Sequence, residues 1–126
     1  MGAVMVALLL AAQGTQPPES QWVEIARDDR TTDYIDARTI QVMGDRRTVW
    51  HRRVYAQPIE NGAVVRLYNV EMDCRLRTQA LLAGRDSDAS GRLVESHDYP
   101  APNRIPVRPG SLGELVFNAV CRPNSN

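Results

Sequence analysis

Only one stretch of this chain repeats apolar residues at helical spacing, and it comes near the end. Ser111-Leu-Gly-Glu114 has the form of a capping box: the serine hydroxyl accepts from the N3 amide and the glutamate reaches back to the N-cap amide. Behind it Leu112, Leu115, Val116, Ala119 and Val120 fall at i, i+3, i+4, i+7 and i+8, which makes a single apolar stripe. Pro123 stops the helix. A helix of about ten residues is marginal in isolation, so the stripe must be laid on something else in the chain.

That something alternates with period two. Trp22–Ala26 is expected as a short strand ended by the turn-rich Asp28–Thr32, with Tyr34–Asp36 a second strand and Thr39–Met43 a third. Gly44-Asp45-Arg46 reverses the chain into a long strand, Arg47–Gln57, with Trp50 and Val54 on one face and Val49, His51 and Tyr55 on the other. Pro58–Gly62, with its Asn-Gly pair, turns into Val64–Cys74, where Val64, Tyr68, Val70, Met72 and Cys74 share a face. Strand is expected to continue through Arg75–Leu82, to turn at Asp86–Gly91 and to resume at Arg92–Ser96. Four prolines keep Tyr99–Gly110 extended and irregular. Short connections make the neighbours antiparallel. The expected fold class is α+β: a meander of about five to six strands packed by one C-terminal helix.

Cys74 ends the longest strand and Cys121 ends the helix. A bridge between them would tie helix to sheet, and its loop of roughly 48 residues would contribute about 4 kcal/mol in the chain-entropy model. Two free buried thiols are the alternative. The N-terminus bears on which holds. Ala3–Ala12 is continuously apolar and no charge precedes Glu19. Ten residues are too few for a bilayer span, which needs about 20, but they suit the core of a secretory signal, with Ala12 and Gly14 at the −3 and −1 positions of a cut. The alternative is a buried N-terminal strand or helix. The expected organisation is a signal peptide at 1–14, a linker at 15–20, a domain at 21–122 and a tail at 123–126. No cysteine follows the apolar core and no second apolar run appears, so neither a lipid anchor nor a transmembrane segment is expected. An oxidising compartment would favour the bridge.

Charge narrows the functional classes. Fifteen basic residues balance fifteen acidic ones, so nucleic-acid binding through bulk charge is not expected. Every basic residue is arginine, which excludes lysine chemistry. Ser96-His97-Asp98 spells a triad in consecutive letters, yet consecutive side chains point apart and cannot assemble one. His51 and His97 have no metal-ligand spacing around them. Asp86-Ser-Asp88-Ala-Ser90-Gly91 opens like a calcium loop, but position 12 is His97 rather than a bidentate glutamate, so a hairpin turn is expected. No glycine-rich phosphate loop, nucleophile elbow or HExxH occurs. No catalytic residue, metal site or cofactor is therefore assigned. Arg46, Arg47, Arg52 and Arg53 gather four cations on one hairpin, a candidate partner-binding patch for sulfated glycans, acidic protein segments or lipid headgroups; a solvated strand face paired with acidic residues is the plainer alternative. Trp50, between them, is expected to pack into the core.

Trp22 at the first strand, Tyr34-Ile-Asp36 followed by Thr39-Ile40, Gly44 with Thr48-Val-Trp50, Asp73-Cys74 closing a long strand, and Pro109-Gly-Ser111 ahead of a helix ending in Val120-Cys121 resemble the bacterial surface-adhesin protein E family. The resemblance spans Gln21–Arg122. It implies a small antiparallel sheet packed by one C-terminal helix, with Cys74 and Cys121 as the family's disulfide. It also implies adhesion to extracellular-matrix protein, since the family's namesake is displayed on the surface of a Gram-negative bacterium. The expected function is a non-enzymatic secreted or periplasmic binding domain with a matrix-type protein or acidic glycan as partner. The alternative is a structural or accessory envelope protein with no host ligand. A free sheet edge would allow a homodimer.

Overall fold

The computed structural model describes residues 20–122; the expected signal at 1–14, the linker up to residue 19, Pro123 and the tail lie outside the described residues. Eight strands form one antiparallel sheet: β1 (Trp22–Arg27), β2 (Thr31–Asp36), β3 (Gln41–Met43), β4 (Arg46–Tyr55), β5 (Val65–Asp73), β6 (Thr78–Ser87), β7 (Leu93–Asp98) and β8 (Ile105–Pro106). The main path runs β1-β2-β4-β5-β6-β7, with short β3 on β4 and β8 on β6. A 3₁₀ turn at Ala37–Thr39 occupies the start of the expected third strand, capped by Asp36 accepting from the Arg38 amide. Among the described residues the one α-helix, α1, spans Leu112–Cys121.

Directly opposed residues in an antiparallel ladder share a face. The register therefore puts Ile35 beside His51, Val49 beside Val70 and His51 beside Tyr68 on one face. Tyr34, Arg52 and Leu67 line up on the other, as do Trp50 and Asn69. Helix α1 packs against β1, β4 and β5. It covers only the first face, where Ile35, Val49, Met72 and Val107 meet Val116, Phe117 and Val120. Trp50 thus lies on the face without the helix, half-buried, and not in the core as its size suggested. Which face of a strand receives the helix is a non-local fact that alternation cannot supply.

The helix is also rolled relative to the expected stripe. Leu115 is 45% exposed, whereas Phe117 is 3% exposed. The Cys74–Cys121 disulfide, with Cα atoms 5.5 Å apart, accounts for the roll. Cys121 sits four residues after Phe117, so bridging it to the end of β5 turns the 113–117–121 side toward the sheet. Ser111 Oγ accepts from the Glu114 amide at 3.2 Å. Glu114 reaches one residue further back than a simple capping box requires, accepting from the Gly110 amide at 3.0 Å.

Arg75–Leu82 is not one continuation of strand. The chain reverses between β5 and β6, where Asp73 Oδ1 accepts from the amides of Arg75 at 3.0 Å and Leu76 at 2.9 Å. Arg77 closes this turn with φ 54°, a left-handed conformation unusual outside glycine. Strand β6 then runs on through Asp86 to Ser87, so the next turn begins at Asp88 and not at Asp86.

Candidate functional site

The helix-bearing face carries a row of polar side chains beyond the edge of α1. Asp33 Oδ1 lies 2.7 Å from His51 Nε2 and accepts from Arg53 Nε at 2.9 Å. Burial holds the His51 imidazole below its usual pKa, against the opposing pull of Asp33, so the ring favours its neutral form. Further along, Arg66 donates through two nitrogens to Asp86 at 2.6 and 2.8 Å. That pairing holds the Asp86 carboxyl below the ordinary range. Glu95 and His97 pair at 2.6 Å next to it. A groove of about 520 Å³ opens beside this row, lined by Tyr68, Val70, Leu81, Tyr99 and Ile105. Its walls are mainly apolar, with Gln79 and Asn103 the polar exceptions, and the charges at its end are already matched to one another.

The opposite face differs in kind. Both tryptophans of the chain, Trp22 and Trp50, line a groove of about 490 Å³, with the neutral polar side chains of Gln41, Thr48 and Asn69 and the apolar Leu67. Asp36 also lines it, but its Oδ1 already accepts from the amides of Gln21 at 2.8 Å and Arg38 at 3.2 Å. Arg52 stands directly across the ladder from Leu67. Its guanidinium carbon lies 5.2 Å from the Trp22 ring centroid and 5.0 Å from that of Tyr34, within cation–π range of both. Arg52 Nε is buried and donates to no acceptor among the described residues. No acidic side chain among the described residues pairs with this guanidinium.

The four arginines of the candidate patch are not brought together, because alternate residues of β4 point to opposite faces. Arg46 lies 3.8 Å from Asp73, an open contact between an exposed side chain and a buried one. Arg47 donates to the Gly44 carbonyl at 2.8 Å. Arg53 is committed to Asp33. Arg52 alone of the four combines fixed geometry with open donors. Spacing within β4 cannot distinguish these roles, since each is set by the neighbouring strand: Tyr34 for Arg52, Asp33 for Arg53. The sequence does carry one usable signal, the alternation of Asp33 and Tyr34 along β2.

The remaining motifs resolve locally. Ser96 opposes Arg85 and His97 opposes Gly84, so their side chains leave the sheet on opposite sides. Asp88 Oδ1 accepts from the Ser90 amide, the Ser90 hydroxyl and the Arg92 amide at 2.7–3.0 Å, which makes Asp88–Gly91 a hairpin turn. Asp86, the first oxygen of the supposed calcium loop, belongs to Arg66. Among the described residues no three His, Cys, Asp or Glu side chains come together to hold a metal ion, and no helix is long and apolar enough to cross a membrane. A family model described as surface-adhesin protein E matches residues 22–122. No curated protein and no solved structure matches the chain.

Proposed function

The chain belongs to the surface-adhesin protein E family, and from that premise we propose a non-enzymatic binding domain that recognises a protein or glycan partner through the face of the sheet free of the helix. The carrying observation is the pair Trp22–Arg52, an exposed-side aromatic and a cation fixed over it with donors to spare. Interfaces draw their energy from such anchors, with tryptophan, tyrosine and arginine over-represented. Arg46, at the tip of the β3–β4 hairpin, extends the contact; Arg47 and Arg53 alternate onto the helix-bearing face, where Arg53 holds Asp33. The non-enzymatic reading is supported by the engagement of both histidines: His51 is buried behind Asp33, and His97 is paired with Glu95.

The proposal places the protein outside the reducing cytoplasm, secreted or periplasmic in a Gram-negative-type bacterium, where the disulfide persists. Edge strands β1 and β7 offer a route to a homodimer, which sedimentation would register. Attachment of the purified protein to matrix-coated wells tests the main claim. Wild type is expected to attach and Arg52→Ala to lose most of that attachment. Wild type that attaches to none of a panel of matrix proteins and glycans points instead to an accessory envelope role.

A further inference from the structure

Resting on that reading of the sheet face, we propose that the Trp22–Trp50 groove is a site for an acidic sugar, with Arg52 as the clasp for the sugar's carboxylate or sulfate. Three observations converge. The groove, at about 490 Å³, falls within the size of small-molecule sites, which are mostly aromatic and apolar with a few placed polar groups. Its neutral polar lining includes Gln41, Thr48 and Asn69, amides and a hydroxyl that both donate and accept, as ring hydroxyls require, and its one carboxylate, Asp36, is engaged by the Gln21 and Arg38 amides. The two indoles supply flat apolar surface for the faces of a pyranose.

The charge then selects among sugars. A half-buried guanidinium without an acceptor is uncomfortable unless an anion completes it. Arg52 is held between Trp22 and Tyr34, so little side-chain freedom remains to be lost when an anion arrives. A carboxylate or sulfate presents two oxygens to the fork of the guanidinium and makes charge-assisted bonds. Leu67, opposite Arg52 in the ladder, lines the groove, so a ring seated there brings a substituent within reach of the clasp. The apolar groove on the other face has no comparable open charge.

The test is an NMR titration of the ¹⁵N-labelled protein. The chain has two tryptophans and hence two indole N–H signals, one on each side of the groove. A hyaluronan hexasaccharide (carboxylate) and a heparin hexasaccharide (sulfate) serve as acidic probes, and chitohexaose as the neutral one. Both indole signals are expected to move with at least one acidic probe, and the two probes separate carboxylate from sulfate. Arg52→Gln is expected to weaken that binding about tenfold, the loss of one charge-assisted interaction, whereas Arg47→Gln leaves it unchanged. The wild-type titration decides even if Arg52→Gln does not fold. Indole signals that ignore both acidic probes overturn the site, as does chitohexaose binding equally well or Arg47→Gln costing as much as Arg52→Gln. If the probes fail while the protein still attaches to wells coated with matrix protein through Arg52, the sugar assignment falls and the protein-binding proposal stands. Failure in both assays removes both.

Discussion

His51 Nε2 and Asp33 Oδ1 are 2.7 Å apart in a place largely shut off from water, with relative exposures of 6% and 3%. The contact has a pH consequence. Burial lowers the His51 pKa in the folded protein, so the unfolded chain takes up a proton first as pH falls past about 6.5. The contribution is fully present above that value and is lost progressively below it, by up to about 1.4 kcal/mol per pH unit. Asp33, Arg53 and Tyr68 face the ring, and the carboxylates with lowered pKa (Asp86 among them) lose their own contribution only at more acid pH. Urea unfolding should therefore show falling stability between about pH 6.5 and 5, and His51→Gln should flatten that segment. A slope unchanged by His51→Gln refutes the assignment.

Removing the disulfide tests how far the helix depends on its tie. Cys74 and Cys121 are 47 residues apart. Cys74→Ala/Cys121→Ala is expected to lose about 4 kcal/mol, by the chain-entropy relation for a loop of this length. The difference in denaturation free energy under non-reducing conditions measures it. A loss below about 1 kcal/mol would mean that the apolar contacts of Val116, Phe117 and Val120 dock the helix unaided.

Two ion pairs on β6 should differ sharply in worth. Asp86, with its side chain 6% exposed, receives Arg66; Asp98, 71% exposed, receives Arg85. Asp86→Ala strands a partly buried guanidinium and should cost about 2–3 kcal/mol. Asp98→Ala should stay within about 0.5 kcal/mol. Equal costs would show that burial does not separate them. Since Asp86 is occupied by Arg66, millimolar calcium should leave the melting temperature where it was.

Ser111 caps α1 through its hydroxyl contact with the Glu114 amide. Ser111→Ala should therefore cost about 1 kcal/mol and Ser111→Asp much less. Thermal unfolding monitored at 222 nm distinguishes them; an Ala variant as stable as wild type rules out the cap as a contributor.

Features governed by neighbours in sequence were legible. The capping serine, the Asn-Gly turn, the turn ending at Gly91 (expected from Asp86, found from Asp88) and the alternation of β4 all depend on residues within a few positions of one another, and the family resemblance aligned them into a meander closed by a helix. The turn between β5 and β6 escaped because Arg75-Leu-Arg-Thr78 carries no glycine, proline or asparagine; a single buried carboxylate, Asp73, builds it through two amides. The roll of the helix escaped because a covalent bond, and not the apolar period, decides which side faces inward. Trp50 and Arg52 escaped for a related reason. Period two says that both share a face, but only the placement of α1 says that the face is open.

The bridge also changes how the molecule responds to a pull. A load applied between residues 20 and 122 passes from Cys74 straight to Cys121, bypassing the 47 steps between them. Strands β6, β7 and β8 and the helix are thereby excluded from extension, which shortens the stretched length by about 160 Å at 3.4 Å per residue. Tension meets β1 to β5 alone, so a domain tugged while holding a surface would yield from its N-terminal strands and keep everything from β6 to the helix in place.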